Sequence, residues 1–319
     1  IVCVGERMKL TIERSALLKA LGHVQNVVEK RTTIPILSNI LLVAADGELA
    51  LTATDLDMEA TDRAPAGITM AGSVTAPAQT LFDVARKLPD GADVEIEYVG
   101  ESQRLTIAAG ASRFSLPTLP ASDFQTMARE EAPVRFEITA SDLVRLIDKT
   151  RFAISTEETR FYLNGVYLHA APGPVLRTVA TDGHRLALAE MPAPSGAEAL
   201  KGVIVPRKAV GEIRRIAEDA DTAIQMEVSE ARITVRAGAA TLTSKLIDGA
   251  FPDYERVIPR GNDKKAVIDN ARFAVAVDRV QTVSGERSKS VKMSFADGML
   301  VLTVNHAETG QARDEMEAV

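Results

Sequence analysis

The chain has 319 residues, 46% hydrophobic and 25% charged, with a net charge of −7 and a single cysteine, Cys3. That length leaves room for two or three domains with cores of their own, and no apolar run is long enough to cross a bilayer. One cysteine excludes an internal disulfide framework and suits a reducing cytoplasm, while the net negative charge argues against a polyanionic partner only if the charge is evenly spread.

Residues 1–7 are too short and too interrupted by Gly, Glu and Arg for a signal peptide. Met8 reads as a start codon, so they are expected to be an upstream extension. From Met8 onward the periodicities predict a strand (LTI), a helix from Arg14 to Lys30, and strands at ILLVA and LALTAT. A second helix over 80–88 follows, then strands at VEIEYV, RLTIAA and SRFSL, separated by Gly, Asp and Pro turns. In the first helix Leu17, Leu21, Val24 and Val28 fall on one face, and Lys19, His23 and Lys30 on the opposite one, which reads as a core stripe with a basic back.

The pattern then starts again. KLTIERSALLKAL matches RFEITASDLVRLI at a step of 126 residues, VTAPAQTLFDVARKL matches VIVPRKAVGEIRRI at 129, and RLTI matches RITV at 128. LTATD, ending at Asp55, matches TVATD, ending at Asp182, and more weakly LTVNH, ending at His306, at steps of 127 and 124. Landmarks in one order at a near-constant step make the chain a tandem repeat. The expected division is 8–132, 133–259 and 260–319, the third copy stopping about half-way. Each copy is expected to be α+β, two helices packed on antiparallel sheet, with no strand-helix-strand alternation of a parallel fold.

The five predicted helical spans (14–31, 80–88, 141–151, 207–218, 270–287) hold 16 Lys and Arg against 8 Asp and Glu. The helices are therefore basic and the remainder acidic. Two readings fit: solvated helix faces, or a basic surface that meets a polyanion while the rest repels it. In the fourth helix Val210, Ile213 and Ala217 form the apolar side, with Lys208 and Arg215 opposite.

No catalytic residue is assigned. TVATDGHRLAL sets Asp182 two residues from His184, but no serine or cysteine carries a nucleophile's local signature. Asp-Gly favours a tight hairpin, and the repeat partner Asp55 is followed by Leu56. Asp55, Asp57 and Glu59 alternate onto one strand face, which reads as an acidic solvent face, a hard-cation site being the other reading. His23, His169, His184 and His306 lack metal-ligand spacing. No phosphate-binding glycine loop occurs, so neither cofactor nor metal is expected. In RFYLNG one of the adjacent Phe161 and Tyr162 is expected to point inward and the other outward.

Several of these stretches together resemble one family. RTTIPILSNILL, LTATDLDMEA, SRFSLPTLPASDF, RFYLNGVYL, TVATDGHRLAL, VIVPRKAV and SKLIDGAFPDYERVIP are similar to the bacterial DNA polymerase III beta subunits, the sliding clamps, and the resemblance runs from Met8 onward. It implies a non-enzymatic processivity factor: three domains per chain, two chains head to tail in a ring, helices lining the hole and duplex DNA threaded through it. It implies work in the cytoplasm, on the nucleoid. It also implies a groove between the second and third domains for short peptides of polymerases, clamp loader and repair proteins, at Leu163, Thr181, Gly183, His184, Arg185, Leu186, Pro252, Arg256 and Val257. For DNA it points to Arg31, Phe161, Tyr162, Arg207 and Lys208, joined by Arg215 from the basic helix face. Gln79 stands where a basic residue is often found, and Phe161 replaces a tyrosine. For the joint between protomers it implies Arg113 and Phe114 against Val283 and the acidic stretch 314–317 of the partner. Two rivals stay open: an enzyme using Asp182 and His184, and a protein scaffold that ignores DNA.

Overall fold

The computed structural model describes residues 7–29, 32–128, 130–221, 223–285 and 289–319, in two compact units, Ile1–Phe251 and Pro252–Val319. The first unit opens with β1 (Arg7–Glu13), whose inward Met8, Leu10 and Ile12 alternate with exposed residues. Helix α1 (Arg14–Val24) follows, then β2 (Asn39–Ala45), β3 (Glu48–Thr54), β4 (Met58–Pro65), β5 (Gly67–Met70), β6 (Gly72–Pro77), α2 (Ala78–Lys87), β7 (Asp93–Val99), β8 (Arg104–Ala109) and β9 (Ser112–Pro117). The second copy gives β10 (Val134–Ile138), α3 (Ala140–Asp148), β11 (Gly165–Ala171), β12 (Val175–Thr181), β13 (Leu186–Pro192), β14 (Val203–Pro206), α4 (Arg207–Glu218), β15 (Ile224–Val228), β16 (Arg232–Ala237) and β17 (Ala240–Lys245). Apart from β5 the two copies correspond strand for strand. The second unit holds α5 (Asn270–Gln281), β18 (Lys292–Ala296), β19 (Met299–His306) and β20 (Gly310–Glu317).

Every strand pair is antiparallel. The helices of each copy in unit 1 pack on one another, α1 with α2 and α3 with α4. The repeat is visible in the helix starts: Glu13 accepts from Ser15 N, Thr139 from Asp142 N and Asp269 from Arg272 N, so each copy supplies an acceptor just ahead of its first helix. Helix α1 is shorter than expected, ending at Val24 rather than Lys30. The chain there passes into turns that bury Val27, leaving Val28 half-buried.

The sheets show how the copies join. Domain 1 has a sheet β5-β1-β7-β8-β9, and domain 2 a sheet β13-β12-β11-β14. The remaining halves fuse into one eight-stranded sheet, β10-β15-β16-β17-β4-β3-β2-β6, in which the last strand of domain 2 pairs with the fourth of domain 1 (Leu242 opposite Ala60, Thr243 opposite Glu59). One continuous apolar core runs through both copies, from Leu17 and Ile96 to Ile213 and Leu242. In the second unit Ala276 and Val280 of α5 pack on Leu300, Leu302, Val304 and Met316 of a sheet β18-β19-β20.

Within domain 2, Arg214 of α4 ties α3 by Nε to Asp148 Oδ1 (2.7 Å) and Nη2 to Asp148 Oδ2 (3.1 Å), and Arg214 Nη1 reaches Glu218. The bonds from Arg214, aided by Arg151, hold the Asp148 carboxyl below its ordinary value of 3.8. A lowered carboxylate adds stability above its unfolded pKa and loses it as the pH falls through the lower folded one. We expect Asp148→Asn to cost about 1 kcal/mol at pH 7, discounted for partial exposure. Urea unfolding should show the gap from the parent chain closing below about pH 4.

Candidate functional site

The stretch that resembled a catalytic pair is a turn, and the same turn occurs twice in unit 1. Between β12 and β13, Asp182 Oδ1 accepts the backbone N–H of His184 and of Arg185, both at 3.0 Å, while Thr181 Oγ1 accepts from Gly183 N and donates to Arg185 O. Between β3 and β4, Asp55 Oδ1 accepts from Asp57 N and Met58 N at 3.0 and 2.6 Å, and Thr54 Oγ1 accepts from Leu56 N and donates to Met58 O. The third position of each turn has a positive φ, 76° at Leu56 and 88° at Gly183. Strand register sets Thr181 opposite Leu186, so four residues form the connection rather than the tight two-residue hairpin the Asp-Gly pair suggested.

This geometry removes the basis for an Asp/His dyad. Asp182 is engaged by backbone N–H groups and by Arg185 Nε at 3.0 Å, and the exposed His184 ring has no hydrogen bond among the described residues. Desolvation opposes ionisation of Asp182, but the N–H groups of Arg185 and His184 and the Arg185 guanidinium outweigh it and lower its pKa. The carboxylate is a structural anion, not a base. Among the described residues no group of three His, Cys, Asp or Glu could hold a metal ion.

The acidic trio does not share a strand face. Asp55 and Asp57 lie in the turn and only Glu59 lies in β4. Lys208 Nζ bonds Asp55 Oδ2 (2.5 Å) and Val27 O (2.7 Å), and Lys245 Nζ bonds Asp57 Oδ1 (2.8 Å). Burial raises the Glu59 pKa, opposed by its bond from Met127 N and by Arg232. Asp55 and Asp57 thus hold domain 2 to domain 1.

The same joint corrects the reading of the basic helix faces. His23 is buried: its Nδ1 lies 2.6 Å from buried Asp62 Oδ2, and its Nε2 lies 3.2 Å from Asp219 Oδ2 of domain 2. Arg215 donates to Gly22 O, to His23 O (2.7 Å) and to Glu212, so it ends α1 by capping its carbonyls. Of the helical cations within the described residues, Lys19, Lys87, Lys149, Arg207 and Arg272 have side chains without a partner. Much of the helical positive charge is thus spent on packing.

For the expected DNA set, Arg31 lies outside the described residues. Phe161 is the outward ring, 53% exposed, and Tyr162 is half-buried, the two meeting edge to face at 5.8 Å. Arg207 N donates to Asn164 O at 2.9 Å, which fixes the start of α4 and its free guanidinium to the RFYLNG segment. The segment that carries Phe161 and Tyr162 is therefore joined through its backbone to Arg207, whereas Lys208 and Arg215 are engaged in the joint.

For the expected peptide set, Leu163 is buried, Leu186 half-buried, and Thr181, Gly183, His184 and Arg185 form the turn beside them. Gly183 sits at a positive φ that favours glycine, and the flexible end of Arg160, Nη1, would lie 2.7 Å from a Cβ there. Two neighbours were not legible in the sequence: Arg160, and Phe152, whose exposed ring lies 5.6 Å under the Arg185 guanidinium. Pro252, Arg256 and the exposed Val257 belong to the second unit, where Arg256 Nε lies 3.7 Å from Asp253. Of the protomer-joint set, Arg113 and Phe114 lie on β9, a free edge of its sheet, and Val283 follows α5 with its carbonyl accepting from Thr309.

Comparison with known proteins agrees along the whole length. Models of the N-terminal, central and C-terminal domains of the DNA polymerase III beta subunit match residues 8–128, 137–253 and 255–319. The beta sliding clamp of Caulobacter vibrioides (strain NA1000 / CB15N) is 58% identical over 313 residues, 97% of this chain and 84% of that protein. The Escherichia coli K12 clamp is 39% identical over 311 residues, with the same coverage of 97% and 84%. Among solved structures, a Caulobacter crescentus beta sliding clamp superposes with a TM-score of 0.93 at 58% identity, covering 98% of this chain and 84% of that one. A Bartonella birtlesii sliding clamp bound to griselimycin gives 0.93 at 46% identity, with coverage of 98% and 84%. The helices on antiparallel sheets, the recurring Thr-Asp turn and these matches agree, and the chain belongs to the DNA polymerase III beta subunit family, the non-catalytic beta sliding clamps.

Proposed function

We propose that two copies of this chain close head to tail into a ring around duplex DNA and tether polymerase subunits, clamp loader and repair proteins to it. The observation that carries this is the joint inside unit 1. There the sheet half ending in β17 is added to the edge strand β4 of the preceding copy. The matching sheet half of domain 1 ends in the unpaired edge β9, and the strand of the second unit that corresponds to β4 is the edge strand β20. A head-to-tail contact that repeats the inner joint therefore has both of its surfaces ready, and such a contact makes a ring when its rotation closes. Each copy then contributes domains at 8–132, 133–259 and 260–319, with Arg113 and Phe114 on one side of the protomer joint and Val283 and residues 314–317 on the other.

Topological holding needs little attraction. Arg207, whose side chain has no partner among the described residues, suffices together with Phe161, Tyr162 and Arg31 for phosphate contacts that slide, while we assign Lys208 and Arg215 to the inner joint. The turn 181–185 with Leu163 and Leu186, together with Pro252, Arg256 and Val257, serves the peptides of DNA-tracking enzymes, the apolar side chains taking hydrophobic anchors. The place of work is the cytoplasm, on the nucleoid, consistent with the absence, among the described residues, of a helix long and apolar enough to cross a membrane.

The decisive experiment loads the protein onto nicked circular DNA with a clamp loader and then linearises the circle with one cut. We expect retention on circles at raised salt and loss of at least tenfold on cutting, because a ring slides off ends while contact binding decays with salt whether or not ends exist. Retention that ignores the cut would replace encirclement with ordinary DNA binding.

A further inference from the structure

The acceptor of the turn that recurs in unit 1 has a counterpart in a shorter, three-residue turn of the second unit. In the second unit His306 Nδ1 accepts from Glu308 N (3.4 Å) and Thr309 N (3.3 Å), the same two- and three-residue reach that Asp55 and Asp182 make with their carboxylates. The helices that follow the Pro landmarks also correspond. Pro77-Ala78-Gln79 begins α2 as Pro206-Arg207-Lys208 begins α4. At the inner joint these two features meet: Lys208 on α4 bonds Asp55 of the turn before β4, and Val27 O just beyond α1.

We propose that the joint between two copies follows this plan, so that Gln79 of one copy is set against the His306 turn of the partner subunit without an ion pair between them. The inference rests on the ring reading. Both members of the staple are changed at once. Gln79 brings a neutral amide, now bonded to Asp83 Oδ2 at 3.1 Å, and His306 brings a nitrogen already used by its own turn. The carbonyl that corresponds to Val27 O is Val283 O, since the capping residues Glu13 and Asp269 set the same distance ahead of them. It already accepts from Thr309 Oγ1 of its own turn. The inner joint is thus fastened by a cation bridging a carboxylate and a carbonyl, and on this plan the protomer joint has neither the cation nor the carboxylate, and its carbonyl is shared with Thr309. This makes Gln79 and His306 the residues that set the protomer joint weaker than the joint within the chain.

The test installs the missing staple. Gln79→Lys, His306→Asp and the double variant are compared with the parent by sedimentation equilibrium at low and raised salt. Aspartate at 306 has the acceptor that caps the other two turns, so circular dichroism and melting should confirm an unchanged fold. We expect the double variant to dimerise about tenfold more tightly than the two single effects predict, with the gain shrinking as salt rises. A measurable dimer whose affinity shows no coupling between the two substitutions overturns the inference and leaves the ring standing. If no variant and not the parent dimerises, the ring reading fails and the inference with it. A coupling that ignores salt would also overturn it, because it would not be an ion pair.

Discussion

Replacing His23 by alanine is expected to cost the first unit about 3–5 kcal/mol, the loss that follows when one partner of a buried pair is removed and the other stays. The partner left behind is Asp62, 5% exposed, whose Oδ2 faces His23 Nδ1 and whose Oδ1 accepts from Arg63 N. The imidazole also reaches Asp219 across the joint, beside a cavity of about 290 Å³. The imidazole thus stands between two carboxylates that belong to different domains, Asp62 and Asp219. Urea unfolding of His23→Ala, Asp62→Asn and the double variant measures the pair. The double variant should lose clearly less than the sum of the single losses, since no buried carboxylate is then left without its partner. Additive losses would show that His23 acts only by filling space.

His23 also shows where sequence reasoning stopped. A helical wheel divides α1 into an apolar face and its opposite, and takes the opposite face for solvent. That holds for a helix lying on a single sheet. Here the other side of α1 meets α4 and Asp219 from a residue 196 positions away, and nothing in the local pattern reports such a neighbour. The helical charge surplus was misleading for the same reason. Arg14 bonds the carbonyls of Ala85 and Arg86, Lys208 that of Val27, and Arg215 those of Gly22 and His23, so cations that count as surface charge in a composition act as caps and staples.

What the sequence did carry was whatever is fixed within a few residues. The recurrence of threonine and aspartate at 54 and 55 and again at 181 and 182 was legible, because one side chain must cap its own loop, whereas the length of the turn was not. Helix starts were legible from the apolar spacing: the spans expected from 14, 141 and 270 begin in the structure at Arg14, Ala140 and Asn270. The strand alternations in 93–99 and 104–109 showed plainly because one face of that sheet is solvent. By contrast β5 has no counterpart in the second copy, so the repeat could not indicate it. At the candidate peptide site the turn and its flanking leucines were readable, and Phe152 was not. Its place depends on a guanidinium 33 residues further along the chain.

The second large effect is expected at Gly165, the last residue of RFYLNG. It opens β11 opposite Pro206 at the end of β14, and a Cβ there would be driven into Val205 O, with Ile204 Cγ2 only 2.9 Å away. Neither obstacle is the free end of a flexible side chain: one is backbone in a paired strand, the other a methyl on a residue 2% exposed. The strands must separate, so Gly165→Ala should lose at least about 3 kcal/mol, more than the ordinary cost of overpacking. The consequence reaches the residues proposed to meet DNA, because Asn164 O holds Arg207 N and Pro206 leads directly into α4. Moving β14 away from β11 would release the start of α4, and with it Arg207 and the Lys208 staple to Asp55. Thermal melting should therefore show a lowered and broadened transition for Gly165→Ala, and retention on circular DNA should fall with it. Gly211, on α4 itself with open space around it, is the control: Gly211→Ala meets nothing within 4 Å and should melt at or slightly above the parent temperature. A normal melt for Gly165→Ala would mean that β11 and β14 can part without loosening α4, and would separate the RFYLNG segment from the inner joint.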